Sequence, residues 1–390
     1  MTMAAPSPAP LQNFPCVEIN LDNLLHNLNQ IRATLPPSIG IMAVVKDNAY
    51  GCGSVMISRL LEQNGVRFFA VARTCEARVL REAGVESPIL VLGQALASDL
   101  QWGASAGIRF TLNDVADLAA WKALDLTVRF HINIDTGMGR LGLLPDEIDK
   151  LAFALDGWPN LICEGAYTHF ARSDNPDKDP TDLQRALFKK TMEALDAHGL
   201  RPGTIHLSNS AAILQHAIPD CTMVRPGIAL YGCKPDPGRQ FPLDLKPVLC
   251  LKGCVIKTKR VPKGTPISYG GTYVTQSDTT IATIGLGYGQ GLPRQLGNKG
   301  AIVIKGKRYT IAGRVTMDFV MVDAGSEPAV HVGDEAMAIG YQGDERTFPD
   351  DIALLCHTIG YEILCSVSSR IDRYYILNGR VIHHQPCRPF

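Results

Sequence analysis

A lysine that leaves a buried strand has two common uses. Lys46 follows the apolar run Ile41 to Val45 and precedes a turn, Asp47-Asn48-Ala49-Tyr50-Gly51. Either its ammonium snorkels into water, or it is an amine tuned for catalysis. Taken alone, the first use is the commoner one, because lysines are rarely buried. Other reactive side chains fall just after later apolar runs: Asp135 to Arg140, His169, Asn209-Ser210 and Arg225-Pro226-Gly227. Ser210 heads a short helical stretch, residues 211–216, and offers a hydroxyl and free backbone N–H groups to an anion. Gly227 lets backbone approach a ligand closely. A lysine on one side and a phosphate cradle on the other is what pyridoxal phosphate needs to be held as a Schiff base. Each residue also has a plainer use. His169 could be a packed core histidine, and Asn209 and Ser210 could be helix caps.

The elements that must position these groups follow a regular beat. Apolar, β-rich runs occur at 41–46, 68–73, 89–93, 108–112, 127–134, 161–169, 204–208 and 221–225. Amphipathic helical patterns fill most gaps, at Val55–Gln63, Cys75–Ala83, Asp114–Leu124 and Asp182–Ala197. Near-continuous apolar strands alternating with helices mark a parallel sheet covered on both faces. Eight such units predict a (β/α)8 barrel, with a doubly wound open sheet as the alternative. In such a barrel the strands' C-terminal ends carry the active site, and those ends are where the reactive residues lie.

Upstream, Val17 to Leu21 alternates like a short strand, and Asp22 can cap a helix that ends at Pro36-Pro37. Pro235, Pro237, Pro242 and Pro247 mark a linker. Beyond it, short strand-like runs at 248–257, 266–268, 280–285, 301–305, 308–314, 319–323 and 335–339 are separated by Gly and Pro. A helical pattern at 349–360 and a strand pair, 366–377 and 380–383, around Asn378-Gly379 complete a mainly-β domain. The expected organisation is a flexible tail over residues 1–14, a barrel over 15–244 and a β domain over 245–390.

Composition narrows the functional classes. The 390 residues carry 38 basic and 38 acidic side chains, a balance that gives no support to nucleic-acid or anionic-membrane binding. No apolar stretch approaches the roughly 20 residues needed to span a bilayer. The N-terminus lacks the basic and apolar regions of a signal peptide. Eleven scattered cysteines without a C-x-x-C pair read as reduced thiols in a cytoplasmic protein, with no metal site. Gly137 to Gly142 satisfies G-x-G-x-x-G, but no helix opens within the glycines and the strand before them is fifth in the array, so dinucleotide binding is a weak reading. His383-His384, adjacent on a strand, point to opposite faces and read as surface.

The sequence resembles the alanine racemase family from about Cys16 to Tyr375. The resemblance rests on Ala-Val-Val-Lys46-Asp-Asn-Ala-Tyr50-Gly, Asp135-Thr-Gly-Met-Gly-Arg140-Leu-Gly, Thr-His169-Phe, Asn209-Ser210-Ala-Ala and Val-Arg225-Pro-Gly227-Ile228. It continues through Ile-Ser-Tyr269-Gly-Gly-Thr-Tyr, Gly-Arg314-Val-Thr-Met317-Asp318 and Tyr361-Glu. It implies a pyridoxal-phosphate-dependent alanine racemase with Lys46 as Schiff-base lysine and first base. Tyr269 of the other subunit of a homodimer is then the second base, and the product is D-alanine for peptidoglycan. Two bases on opposite faces are what proton removal and return at one carbon require. Tyrosine titrates near pH 10 unaided, and the resemblance supplies a chain from Tyr269 through His169 to Arg225, with Arg225 against the pyridine nitrogen. Tyr50, Asn209, Ser210, Gly227, Ile228 and Tyr361 match cofactor contacts. Arg140 and the backbone of Met317 match the substrate carboxylate site. Tyr288, Arg294, Arg314 and Asp318 match supporting positions.

Three departures stand out. Asn133 occupies a position where many members carry a carbamylated lysine, and a chloride or ordered water beside Arg140 is expected in its place. The usual Gly-Tyr-Ala-Asp-Gly reads Gly-Tyr288-Gly-Gln290-Gly, which leaves substrate breadth, serine included, open. Asp47 and Cys52 replace the more usual Ala and His. A non-catalytic regulatory barrel that binds pyridoxal phosphate is the competing class, but it would resemble the barrel alone. A fold-related decarboxylase would carry a Gly-Gly-Glu-Pro-Gly-Arg-like motif, which is missing.

Overall fold

The computed structural model describes residues 14–215, 220–327 and 329–387, which form two compact units. All of the expected tail except Phe14, together with residue 216 of the expected short helix, lies outside the described residues.

The first strand of the chain, β1 (Cys16–Asn20), is followed by the eight barrel strands: β2 (Gly40–Val44), β3 (Phe68–Val71), β4 (Ile89–Val91), β5 (Arg109–Leu112), β6 (Val128–Asn133), β7 (Leu161–Tyr167), β8 (Thr204–His206) and β9 (Met223–Val224). The eight are parallel and ordered β8-β7-β6-β5-β4-β3-β2-β9. Thr222 N–H donates to Ile205 O at 2.9 Å and Arg225 N–H to Ser208 O at 2.8 Å. These bonds join the two ends of the array, so the sheet closes and the open-sheet alternative falls. Strands β3 and β4 are buried at every residue, which explains their uninterrupted apolar sequence. Helices Ser54–Gln63, Thr74–Glu82, Ala97–Ser105, Asp117–Lys122, Ile148–Leu155 and Asp179–Ala197 lie in the gaps between strands.

Among the described residues, the other unit gathers 14–27, 231–240 and those from 245 to 387. It holds β10 (Leu249–Val261), β11 (Pro266–Ile267), β12 (Tyr273–Val274), β13 (Thr279–Ile284), β14 (Ala301–Ile304) and β15 (Lys307–Thr310). It continues with β16 (Val320–Asp323), β17 (Glu335–Gln342), β18 (Glu345–Thr347), β19 (Asp372–Leu377) and β20 (Arg380–Gln385). Strand β1 belongs here: it runs antiparallel to β10 and parallel to β19. The boundary therefore differs from the chain-order division at 244/245. An ion triad ties the arrangement together, with Lys252 Nζ 2.9 Å from Glu18 Oε2 and 3.1 Å from Glu335 Oε2, uniting β1, β10 and β17.

Several local expectations are corrected. The helix Leu21–Ala33 is capped by Asn20, whose Oδ1 accepts the Asn23 N–H at 2.9 Å. Asp22 instead accepts the Asn378 N–H at 2.8 Å. The segment expected to be strand from residue 366 ends a helix, Gly360–Ser366, and β19 begins only at Asp372. Asn378 and Gly379 both have positive φ, 52° and 70°, which matches the right-handed twist of the hairpin they close. His384 stacks on Tyr374 and sits 3.0 Å from Asp372 Oδ2. All eleven cysteines are free thiols. Among the described residues no helix is long and apolar enough to cross a membrane.

Candidate functional site

Lys46 stands half-buried at the end of β2 and opens a turn of the wrong hand. Asp47, Asn48, Ala49 and Tyr50 all have φ between 52° and 54°. A left-handed turn costs L-residues about 1–2 kcal/mol each, so its neighbours must hold it. Backbone bonds from Ala49 N–H to Val45 O and from Gly51 N–H to Asp47 O, at 2.9 and 3.1 Å, close the turn. Asn48 Oδ1 accepts the Ser54 N–H at 2.9 Å. The Glu76 carboxylate takes three more donors: Asp47 N–H at 2.5 Å, and Ala72 and Arg73 N–H at 2.9 Å each. Strain of this kind, overruled by surrounding bonds, is typical of functional sites. The turn sends Lys46 and buried Tyr50 out of one strand end.

Tyr50 reaches the β9 end of the barrel. A Cβ added to Gly227 would lie 2.5 Å from the Tyr50 hydroxyl, so only glycine leaves room there. Ser210 begins the helix Ser210–Gln215, and its Oγ accepts the N–H groups of Gly227 and Ala229 at 3.0 and 3.3 Å. Asn209 caps the same helix through Ala212 N–H at 3.0 Å and bridges to Arg225 across the closing seam. Buried Ile228 follows Gly227. A tyrosine hydroxyl packed over Gly227, a serine hydroxyl and backbone N–H groups gathered at Ser210 are donors of the kind that hold a phosphate. The donor set therefore suits pyridoxal phosphate.

Arg225 is 3% exposed, and both of its terminal nitrogens are engaged. Its Nη1 lies 2.7 Å from His206 Nδ1 and also donates to His206 O. Its Nη2 donates to Thr168 O at 2.8 Å and Leu207 O at 3.1 Å, and lies 3.3 Å from His169 Nδ1. Burial pulls its pKa down to about 10, so it stays a cation at neutral pH. For His169, burial and then the positive charges of Arg225, Arg140 and Lys46 push the pKa down to about 3. Its ring is therefore neutral. Because a guanidinium only donates, Nδ1 accepts and Nε2 carries the hydrogen. Gln184 Nε2 holds the His169 carbonyl at 3.1 Å.

After β6, Asp135 folds the glycine-rich loop by accepting the N–H groups of Gly137, Met138 and Gly139 at 2.8–3.1 Å. The G-x-G-x-x-G match is a loop around one carboxylate and opens no helix. Arg140 ends this loop, exposed. Asn133 is buried, and its Nδ2 donates to Asn113 Oδ1 at 2.9 Å and Leu141 O at 3.0 Å. Both amide hydrogens are thus spent within the protein.

The remaining expected residues lie in the β unit. Tyr269 is 71% exposed on a short turn whose Ser268 hydroxyl donates to Arg314 O at 2.7 Å. Gly289 N–H donates to Met317 O at 2.8 Å. Gln290 links Gly287 N–H, at 2.8 Å, to Asp318 Oδ1, at 3.4 Å. A carboxylate at this position could accept the first contact but not donate the second. Tyr288, Met317 and Phe319 are exposed as well, and backbone bonds join Tyr288 N–H to Thr316 O at 3.0 Å and Thr316 N–H to Phe319 O at 2.9 Å. Arg294 opens the short turn that packs near Arg314. Tyr361 is the second residue of helix Gly360–Ser366.

Sequence reasoning missed Glu76, Gln184, His131 and His206. Glu76 and Gln184 sit in amphipathic helices where a carboxylate or amide on the polar side draws no notice. The histidines were single residues in apolar runs, and the one available signal was Gly165, an isolated glycine inside a strand.

Comparison with known proteins covers both units. The family described as "Alanine racemase, N-terminal domain" matches residues 19–235, and that described as "Alanine racemase, C-terminal domain" matches residues 248–375. An alanine racemase of Halothermothrix orenii is 40% identical over 92% of this chain and 96% of its own. One of Methanococcus maripaludis is 38% identical over 92% and 98%. Among solved structures, alanine racemase from Bacillus anthracis with bound L-Ala-P superposes with a TM-score of 0.89 at 36% identity, covering 97% of this chain and 99% of that one. The enzyme from D-cycloserine-producing Streptomyces lavendulae gives 0.87 at 32% identity, covering 96% and 98%.

Proposed function

The chain belongs to the alanine racemase family along both of its domains, and on that premise we propose how its residues interconvert L- and D-alanine. Pyridoxal phosphate, when bound, supplies an electron sink that makes the Cα–H of an amino acid acidic. Tyr50, Ser210, Gly227 and Ile228, with Tyr361, would hold its phosphate, and Arg225 its ring nitrogen. Lys46 removes or returns the Cα proton on one face. Tyr269 of a second copy does so on the other. Arg140 and the backbone of Met317 bind the substrate carboxylate.

The observation that carries this reading is the tautomer of His169. Arg225 faces its Nδ1, so the Nε2–H is the group His169 can offer. A donor of that kind stabilises a phenolate and brings a tyrosine toward its working pH. The exposed Tyr288, Met317 and Phe319, carried on backbone-bonded loops, support docking against a second copy, since exposed apolar surface marks interaction sites. A regulatory barrel would not need the C-terminal domain that this chain carries.

The spent amide hydrogens of Asn133 favour an ordered water over a chloride beside Arg140, because Asn133 has no hydrogen left to donate to an anion. A bromide-soaked crystal with an anomalous peak at that point would restore chloride. Eleven free thiols suit a reducing compartment, so we place the enzyme in the cytoplasm, supplying D-alanine for peptidoglycan.

The test is a chiral assay with L-alanine against L-serine, L-lysine and L-arginine, beside borohydride trapping at Lys46 read by mass spectrometry. L-Alanine should be turned over fastest, with a cofactor adduct on Lys46. A Tyr269→Phe variant that racemises alanine at the wild-type rate would overturn the two-base assignment.

A further inference from the structure

We propose that His131 is a positioning residue for Arg225, acting through His206 by fixing that ring's tautomer. The inference rests on the reading above, in which Arg225 faces the cofactor ring. His131 lies on β6 and His206 on β8, with β7 between them. Neighbouring strands stand about 4.8 Å apart, so two side chains from β6 and β8 meet only if something between them is missing. Gly165 of β7, paired in register with His131, is that gap. A Cβ there would come within 2.5 Å of His131 Nδ1 and 2.8 Å of its Cγ. Through it His131 Nδ1 comes to 2.7 Å from His206 Nε2. Both rings are wholly buried. Phe68 of β3 packs on His131 at 5.7 Å, and Tyr167 stacks on His206 at 4.7 Å.

The positions of the hydrogens in this chain can be assigned from the one member that cannot accept. Arg225 Nη1 lies 2.7 Å from His206 Nδ1, and a guanidinium only donates, so His206 Nδ1 accepts. A neutral imidazole then carries its hydrogen on Nε2, and His206 donates to His131 Nδ1. His131 in turn carries its hydrogen on Nε2, which has no hydrogen-bond partner among the described residues. Burial keeps both rings neutral, with His131 pushed down to about 3 and His206 well below its ordinary value. Without an acceptor at His131, His206 would bury its Nε2–H unpaired, a cost that lets the opposite tautomer, with an N–H pointed at Arg225, compete. The guanidinium would then lose the contact that aims it.

Asparagine and glutamine separate this role from simple packing. His131→Asn places its amide oxygen where Nδ1 stood, whereas His131→Gln places its amide near the former Nε2. Imidazole 15N shifts of histidine-labelled protein report the His206 tautomer without reference to activity. The expected result is an Nε2–H tautomer in wild type and His131→Asn, and loss of that preference in His131→Gln. With it should come about tenfold or more lower kcat, little change in KM for alanine and a shifted visible absorbance of the bound cofactor. An unchanged His206 tautomer in His131→Gln overturns the proposal, as does equal impairment of both variants. A changed tautomer with unchanged kcat and absorbance also overturns it, since the relay would then stop short of the site. Wild-type protein that takes up no pyridoxal phosphate would instead overturn the functional reading, while the tautomer shift still tested the chain itself.

Discussion

Replacing Gly227 by alanine should weaken the phosphate end of the site through one contact. The new Cβ would lie 2.5 Å from the Tyr50 hydroxyl oxygen, with the next atoms, Tyr50 Cζ and Val44 Cβ, at 3.3 and 3.6 Å. Tyr50 is 5% exposed and leaves a strained left-handed turn, so it cannot swing aside freely. Overpacking of this size costs about 1–3 kcal/mol. If that cost falls on the conformation that meets the phosphate, affinity for pyridoxal phosphate drops about 5- to 150-fold. Tyr50→Phe removes the clashing oxygen and leaves Cζ nearest at 3.3 Å, a tight contact that a shift of a few tenths of an ångström relieves. The double variant should therefore bind the cofactor better than the sum of the single losses predicts, by about 1 kcal/mol or more. Titrating apo-protein with pyridoxal phosphate, followed by protein fluorescence, gives the four affinities. Wild-type affinity in Gly227→Ala, or strict additivity in the double variant, would refute the placement of Tyr50 against Gly227 at the phosphate.

Two further predictions concern the strained turn and a buried acid. Glu76→Ala strips three N–H groups of their acceptor, each such bond to a charged group being worth about 1.5–3 kcal/mol. It should lower both Tm and kcat, and Asp47→Gly in that background should recover part of the loss by relaxing a φ of 52°. Unchanged kcat in Glu76→Ala would contradict the clamp. Asp350 is buried, its Oδ2 accepts the Lys234 N–H at 3.0 Å and its Oδ1 has no hydrogen-bond partner among the described residues. Burial raises its pKa to about 6. A raised acid binds its proton more tightly folded than unfolded, so its charged form destabilises the fold above pH 6 and the penalty fades as pH falls toward its unfolded value. Asp350→Asn should therefore unfold at higher urea than wild type at pH 7, with the gap closing by pH 4. An equal gap at both values would show that the effect is not ionic.

The eight barrel strands were legible because parallel strands buried on both faces must be apolar throughout, as Phe68–Val71 and Ile89–Val91 are. The reactive residues were legible by position, each at a strand's C-terminal end. What escaped reading was set by distant pairing. Nothing in Cys16–Asn20 says that it joins β10 and β19 more than 200 residues later. Strands of two or three residues, such as β12 and β18, carry no period to detect. The left-handed turn after Lys46 uses four non-glycine residues and leaves only Gly51 and Gly53 nearby as clues. The His131–His206 pair depends on a gap in the strand between them, visible in sequence as one glycine without a stated purpose.

The central claim is that one active site joins Lys46 of one chain to Tyr269 of another. Lys46→Ala and Tyr269→Phe variants, each purified and then mixed under conditions that exchange subunits, test it most directly. Each alone should be nearly inactive. In a mixed dimer one site collects both lesions and the other neither, so an equal mixture should regain about a quarter of wild-type alanine racemisation. Mixing that restores no activity, while mass spectrometry shows that mixed dimers have formed, would contradict the shared site.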